Sequence, residues 1–171
     1  SSDNLYKGYS ELELNSKEID KIFDSGLSLP SRIKEEAYPN HFFHIKNLED
    51  SSHELIAKYD GNKIIPLKYQ NDTAWGLKPI NMEQKMAFEL LMDENIHFVT
   101  LTGGAGSGKT ILSTSVALQK VIEKGLYRKI IFVRPVVPAG NDIGYLPGNE
   151  IEKLKPWMGP FYDAIDNLFD N

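Results

Sequence analysis

The chain has 171 residues, enough for one compact domain or two small ones with a buried core. Hydrophobic residues at 41%, aromatics at 11% and charged residues at 25% exclude disorder of the whole chain. A net charge of −5 supplies no general basic field for nucleic acid, the absence of cysteine excludes a disulfide framework and thiolate zinc sites, and no apolar run nears the roughly 20 residues that span a bilayer.

No membrane is therefore expected as a partner, and a cytoplasmic location is the simplest expectation. The opening Ser1-Ser2-Asp3-Asn4 has no Met, basic leader or apolar signal, and reads as the start of a piece of something longer. The acidic excess lies in the first hundred residues, whereas the remainder is nearly balanced.

In chain order, residues 11–14, 42–45, 54–59 and 63–67 have the composition of short strands, punctuated by Gly26, Pro30, Pro39 and Asp60-Gly61-Asn62. Asp-Gly between two apolar runs signals a hairpin. Residues 18–23 fit a short helix behind a cap at Asn15 or Ser16. Residues 1–75 thus read as a small β-rich module.

From Trp75 the pattern changes. Asn81 can cap a helix reaching Met92, with Met82, Met86, Phe88 and Leu91 near one apolar side. Residues 96–101 read as a short buried strand stopped by glycines, residues 109–124 as a helix ended by Gly125, and residues 129–133 as a second strand. Strand, helix and strand within this span predict a parallel βαβ unit, and residues 76–171 an α/β domain.

Between the first strand and the helix lies Gly103-Gly104-Ala105-Gly106-Ser107-Gly108-Lys109-Thr110, the pattern of the phosphate-binding loop. A polyphosphate carries several negative charges and needs convergent donors unobstructed by side chains. Successive backbone N–H groups in a glycine-rich turn supply them, and the positive end of the following helix adds to the attraction. Lys109 is the expected catalytic cation at the β- and γ-phosphates of ATP, and the Thr110 hydroxyl the expected ligand of Mg²⁺.

Two further residues carry competing readings. The Gln84 amide has the two-sided chemistry to accept from N6 of adenine and donate to N7. Asn81-Met82-Glu83-Gln84 also has the spacing of a capping box, in which Gln84 turns back to the cap residue. Arg134, at the carboxyl end of the second strand and followed by Pro135, is placed to meet ATP or nucleic-acid phosphates. It ends a basic stretch with Lys120, Lys124, Arg128 and Lys129, residues that equally well complement a helix C-terminus.

Beyond it, Pro138, Gly140, Gly144, Pro147 and Gly148 punctuate a loop. Asn149 then begins an apolar stripe of Ile151, Leu154, Trp157, Phe161, Ile165 and Leu168, interrupted by Pro156 and Pro160, that suits a core or a docking surface. His41, His44, His53 and His97 have no metal-ligand spacing.

Gly103 to Thr110, Arg134-Pro135, Gly140, Gly144-Tyr145-Leu146-Pro147-Gly148 and Glu152-Lys153 together resemble the PhoH-like ATPase family. Trp75-Gly76-Leu77-Lys78-Pro79 with Asn81, Glu83 and Gln84 resembles the beginning of that ATPase in longer members, which carry an upstream PIN ribonuclease domain. Residues 6–13, Tyr38-Pro39-Asn40 and Tyr59-Asp60-Gly61 resemble their connecting region.

The resemblance implies a connecting module over 1–75 and, over 76–171, the front half of a RecA-like P-loop domain that binds ATP and Mg²⁺. It implies coupling of hydrolysis to RNA unwinding, with a ring-shaped homo-oligomer left open. Ser107 stands where members usually have Thr, and Gly104 where they often have Lys. No apolar strand ending in an acidic pair follows Arg134, so this stretch is expected to bind nucleotide and hydrolyse it poorly. It lacks the PIN acids and is expected to have no nuclease activity. A P-loop small-molecule kinase and a nucleotide-stabilised oligomerisation or partner-docking module are the alternatives.

Overall fold

The structure, a computed structural model, describes residues 6–33, 36–135 and 150–170, with side chains described in the last stretch from residue 158 onward. The chain divides into two compact units: residues 1–70 with 85–93, and residues 71–84 with 94–171.

The first unit is built on one mixed sheet. Strands β1 (Tyr9–Leu14), β2 (Leu27–Ser28), β3 (Phe42–Asn47), β4 (Glu54–Tyr59) and β5 (Lys63–Pro66) lie in the order β1-β3-β4-β5-β2, and helix α1 (Ser16–Ser25) follows β1. Each of the four strand-like segments seen in the sequence is a strand, lengthened by two residues in β1 and β3 and shortened by one in β5, and β2 is an addition. β1 pairs parallel with β3, which is sterically accessible because residues 15–41, including α1, form the crossover. The remaining pairs are antiparallel.

Period-two alternation decides which face is dry. Leu12, Leu14, Phe43 and Ile45 point to the core with Ile19 and Ile22 of α1, Ala57 and Ile64. On the other face Glu11, His44, Lys46 and Glu54 form a charged cross-strand cluster, with His44 Nε2 2.9 Å from Glu54 and Lys46 3.5 Å from Glu11.

Of the two caps the sequence allowed for α1, the structure selects Asn15. Its side chain accepts from the Glu18 N–H at 2.9 Å, and the Glu18 carboxylate accepts from the Asn15 N–H, a reciprocal capping box. Arg32 binds that carboxylate at 2.8 Å, which, with the backbone donor, holds the Glu18 carboxyl below its usual range. At the β4–β5 turn, Asp60 accepts from the N–H groups of Asn62 and Lys63 at 2.8 and 2.7 Å, and its carboxyl is depressed for that reason.

Helix α2 (Met82–Met92) supplies residues 85–92 to this unit. There Met86, Phe88 and Met92 are buried, and so is Glu89. That carboxylate is satisfied by the N–H groups of Lys68 and Tyr69 at 2.7 and 2.9 Å, which is how a buried acid is tolerated.

In the second unit, helix α3 (Lys109–Leu118) continues into a π-helical turn, Gln119–Glu123, so the predicted helix 109–124 is present but widens at its end. The Lys124 N–H reaches back to Gln119 at 2.9 Å and the Leu126 N–H to Lys120 at 2.9 Å, with Gly125 between them. Trp75 and Gly76, both with positive φ, make the tight turn that joins Ala74 to Leu77. The Trp75 N–H donates to the Gln119 side chain at 3.0 Å.

Helix α4 (Glu150–Phe169) runs without a break where Pro156 and Pro160 predicted interruptions. A proline removes one helical hydrogen bond, and the helix here is long enough to continue past both. Its Ala164 and Leu168 are buried, as are Leu112, Val116 and Leu118 of α3, and Phe161 meets Phe132 at a ring distance of 4.4 Å.

The main departure from the sequence expectation is here. Residues 96–101 and 129–133 are not strands, so the parallel βαβ unit predicted around α3 is represented by its helix alone among the described residues. A strand exists only through a hydrogen-bonded neighbour, and none pairs with either segment among these residues. Phe98 and Val133 are correspondingly 87% and 84% exposed. The architecture shown is α/β with a mixed sheet. The loop from Pro138 to Gly148, the Asn149 cap and the side chains of Ile151, Leu154 and Trp157 lie outside the described residues. Among the described residues no helix is long and apolar enough to cross a membrane.

Candidate functional site

The site grows from the N-terminus of α3. Gly103, Gly104, Ala105, Gly106 and Ser107 form an exposed turn, and Gly108, Lys109 and Thr110, half-buried, carry the chain into the helix. Two residues of the turn have left-handed backbones, Gly106 at φ 76° and Gly108 at φ 86°. A side chain there would cost about 1–2 kcal/mol of strain, so glycine is required by conformation as well as by the need for open backbone. At Gly108 space is also short, since a Cβ would stand 3.0 Å from Gln84 Nε2.

Lys109 folds back into the turn. Its ammonium donates to the carbonyls of Gly103 and Gly104, each at 2.6 Å, and to the Ser107 hydroxyl at 3.0 Å. A positive charge is thereby held among the loop oxygens at the end of a helix whose free N–H groups carry further positive potential. Thr110 follows in the first turn of the helix. Ser113 closes that turn by donating to the carbonyls of Lys109 and Thr110 at 2.8 and 3.1 Å.

The structure brings Gln84 to the same loop. Asn81 Oδ1 accepts from the Gln84 backbone N–H at 2.9 Å, the cap expected from the spacing. The side chain does not complete the box on Asn81: its Oε1 accepts from the Ile80 N–H at 3.1 Å and its Nε2 donates to the Ser107 carbonyl at 3.4 Å. The loop contact was not visible in the sequence, because spacing along α2 says nothing about what lies across from it. Arg134 is exposed, at the end of residues 129–133. No cluster of three or more His, Cys, Asp or Glu suited to a metal occurs among the described residues.

With this geometry in view, a family model described as PhoH-like protein matches residues 76–171, more than half of the chain and the part that contains the loop. The chain belongs to the PhoH-like family. Protein PhoH2 of Bacillus subtilis (strain 168) is 40% identical over 172 residues, covering 99% of this chain and 39% of that protein.

Protein PhoH2 of Mycolicibacterium smegmatis is 32% identical over 164 residues, covering 95% and 37%. A second Bacillus subtilis relative, named PhoH-like protein, is 42% identical over 66 residues, 39% of this chain and 20% of its own. This PhoH-like chain therefore spans less than two fifths of the length of the relatives that match nearly all of it. No solved structure matches it at a significant level. Membership of the PhoH-like family points to an ATPase-like P-loop protein, in keeping with the glycine turn and its lysine.

Proposed function

We propose that this chain is the ATP-binding part of an ATPase that couples hydrolysis to remodelling or unwinding of RNA. Residues 1–75 would be a connecting module and residues 76–171 the front half of a RecA-like domain. The observation that carries the reading is the conformation of residues 103–109: two left-handed glycines turn the backbone at the N-terminus of α3, and the Lys109 ammonium lies inside that turn.

A triphosphate would draw the ammonium from the Gly103 and Gly104 carbonyls, because phosphate oxygens are charged acceptors and amide carbonyls are not. The loop N–H groups and the α3 N-terminus would then hold the β- and γ-phosphates by position and charge. The Thr110 hydroxyl, a hard oxygen donor beside them, fits Mg²⁺, which when bound neutralises charge on the phosphate oxygens. With no acidic pair ending an apolar strand in residues 76–171, this stretch binds nucleotide and hydrolyses it poorly by itself.

The strand-like composition of residues 96–101 and 129–133, which are unpaired among the described residues, is what the RecA-like part of this reading rests on. Exposed Arg134 and the basic residues preceding it support RNA as the partner. The test is ATP turnover by the intact protein with and without single-stranded RNA. Stimulation by RNA is expected, and phosphate transfer to a small-molecule acceptor with no effect of RNA would replace this reading with a kinase.

A further inference from the structure

We infer that Gln84 is a positioning residue of the phosphate loop, acting on the direction of the Gly108 N–H rather than reading the base. The inference rests on the nucleotide-binding reading above and assigns the side chain a different role within it.

Both ends of the Gln84 amide have protein partners, Ile80 N–H on Oε1 and the Ser107 carbonyl on Nε2. Turning the amide toward a base would break both bonds at once. The second bond has a specific mechanical meaning. A peptide unit is planar, so the Ser107 carbonyl and the Gly108 N–H lie in one plane and point opposite ways. Anchoring the carbonyl fixes the direction of the N–H.

Gly108 is the residue that caps α3: its carbonyl accepts from the Leu112 N–H at 2.9 Å, its φ is 86°, and no side chain caps the helix there. A Cβ on residue 108 would stand 3.0 Å from the same amide nitrogen, so the absence of a side chain at Gly108 is what leaves Gln84 room beside the loop. Ser107 passes the constraint on, because its hydroxyl accepts from Lys109 at 3.0 Å. One side chain thus supports both the Gly108 N–H at the start of α3 and the cation proposed to meet the phosphates.

A loop so held binds polyphosphate whatever base is attached. Calorimetry on the intact protein should therefore show Gln84→Ala weakening ATP, GTP and inorganic tripolyphosphate, each with Mg²⁺, by a common factor of about 3 to 10, the effect of one ordinary hydrogen bond. A loss confined to ATP would return Gln84 to base reading, and no loss for any of the three would leave it no role. Failure of the unaltered protein to bind any of them would instead remove the nucleotide-binding reading, and this inference with it.

A second variant separates the loop from the start of α2. Gln84→Glu keeps an acceptor for the Ile80 N–H and has no donor for Ser107. In nucleotide-free protein, hydrogen exchange over residues 103–110 should be faster in both variants. Exchange matching the unaltered protein in Gln84→Glu would attribute the effect to the helix start and overturn the inference.

Discussion

The first unit and the second both contain segments with the composition of strands, and the two behave oppositely. Phe43 and Ile45 in β3 are fully buried between paired neighbours, whereas Phe98 and Val133, in segments at least as rich in β-branched and aromatic residues, are almost fully exposed and outside any ladder among the described residues. Composition is the same kind of signal in both places. The difference is the availability of backbone partners: β3 has β1 on one side and β4 on the other, and a strand is stabilised by those pairings and cross-strand contacts far more than by its own propensity.

The sharpest way to break this comparison is to truncate an aromatic in each unit. Phe43→Ala should destabilise the first unit by about 3–5 kcal/mol, the usual result of emptying a core position. Phe98→Ala should change stability by no more than about 0.5 kcal/mol. Urea denaturation of both variants decides it, and a large loss from Phe98→Ala would mean that residues 96–101 are packed in solution after all.

The second unit differs also in what its backbone is for. In the sheet the backbone of β3, β4 and β5 faces strands on both sides, whereas in the turn 103–108 the exposed backbone is proposed to face a ligand. Lys109→Ala should lower nucleotide affinity by about 1.5–3 kcal/mol, or roughly 10- to 150-fold, because it deletes hydrogen bonds to a charged ligand. Calorimetry giving unaltered affinity would sever the loop from nucleotide binding, while the fold of the first unit should be untouched by the change.

The smallest expected effect concerns the cap of α1. The Glu18 carboxyl is held below its unfolded value, first by its bond to Arg32 and then by the Asn15 N–H, so the native state favours its ionised form. Its contribution is therefore full above the ordinary Glu value near about 4.3 and disappears as pH falls through the depressed native value. Thermal unfolding followed across that acidic range should show the loss in the unaltered protein and a flatter profile in Glu18→Gln. Parallel profiles would show that the Arg32 contact is too exposed to matter.

Four of the five sheet strands, the caps at Asn15 and Asn81 and the glycine-rich turn were legible in the sequence, because each depends on residues close together in the chain. Alternation in β1 and β3 marks a face, Asn15 and Asn81 meet N–H groups three residues on, and Gly103 to Thr110 encode their own turn. Which segments pair was not legible in this way. The parallel partnership falls between β1 and β3 in the first unit, whereas the one expected around α3 has no ladder among the described residues.

By itself, then, the sequence determined the two helix caps, the glycine-rich turn and the family. Only the tertiary structure decided that β1 lies beside β3 and that the Gln84 amide reaches the Ser107 carbonyl. The physical reason is range. Caps and turns are governed by dihedral preferences and bonds spanning a few residues, but a ladder or a side chain reaching another segment depends on what the rest of the chain brings alongside.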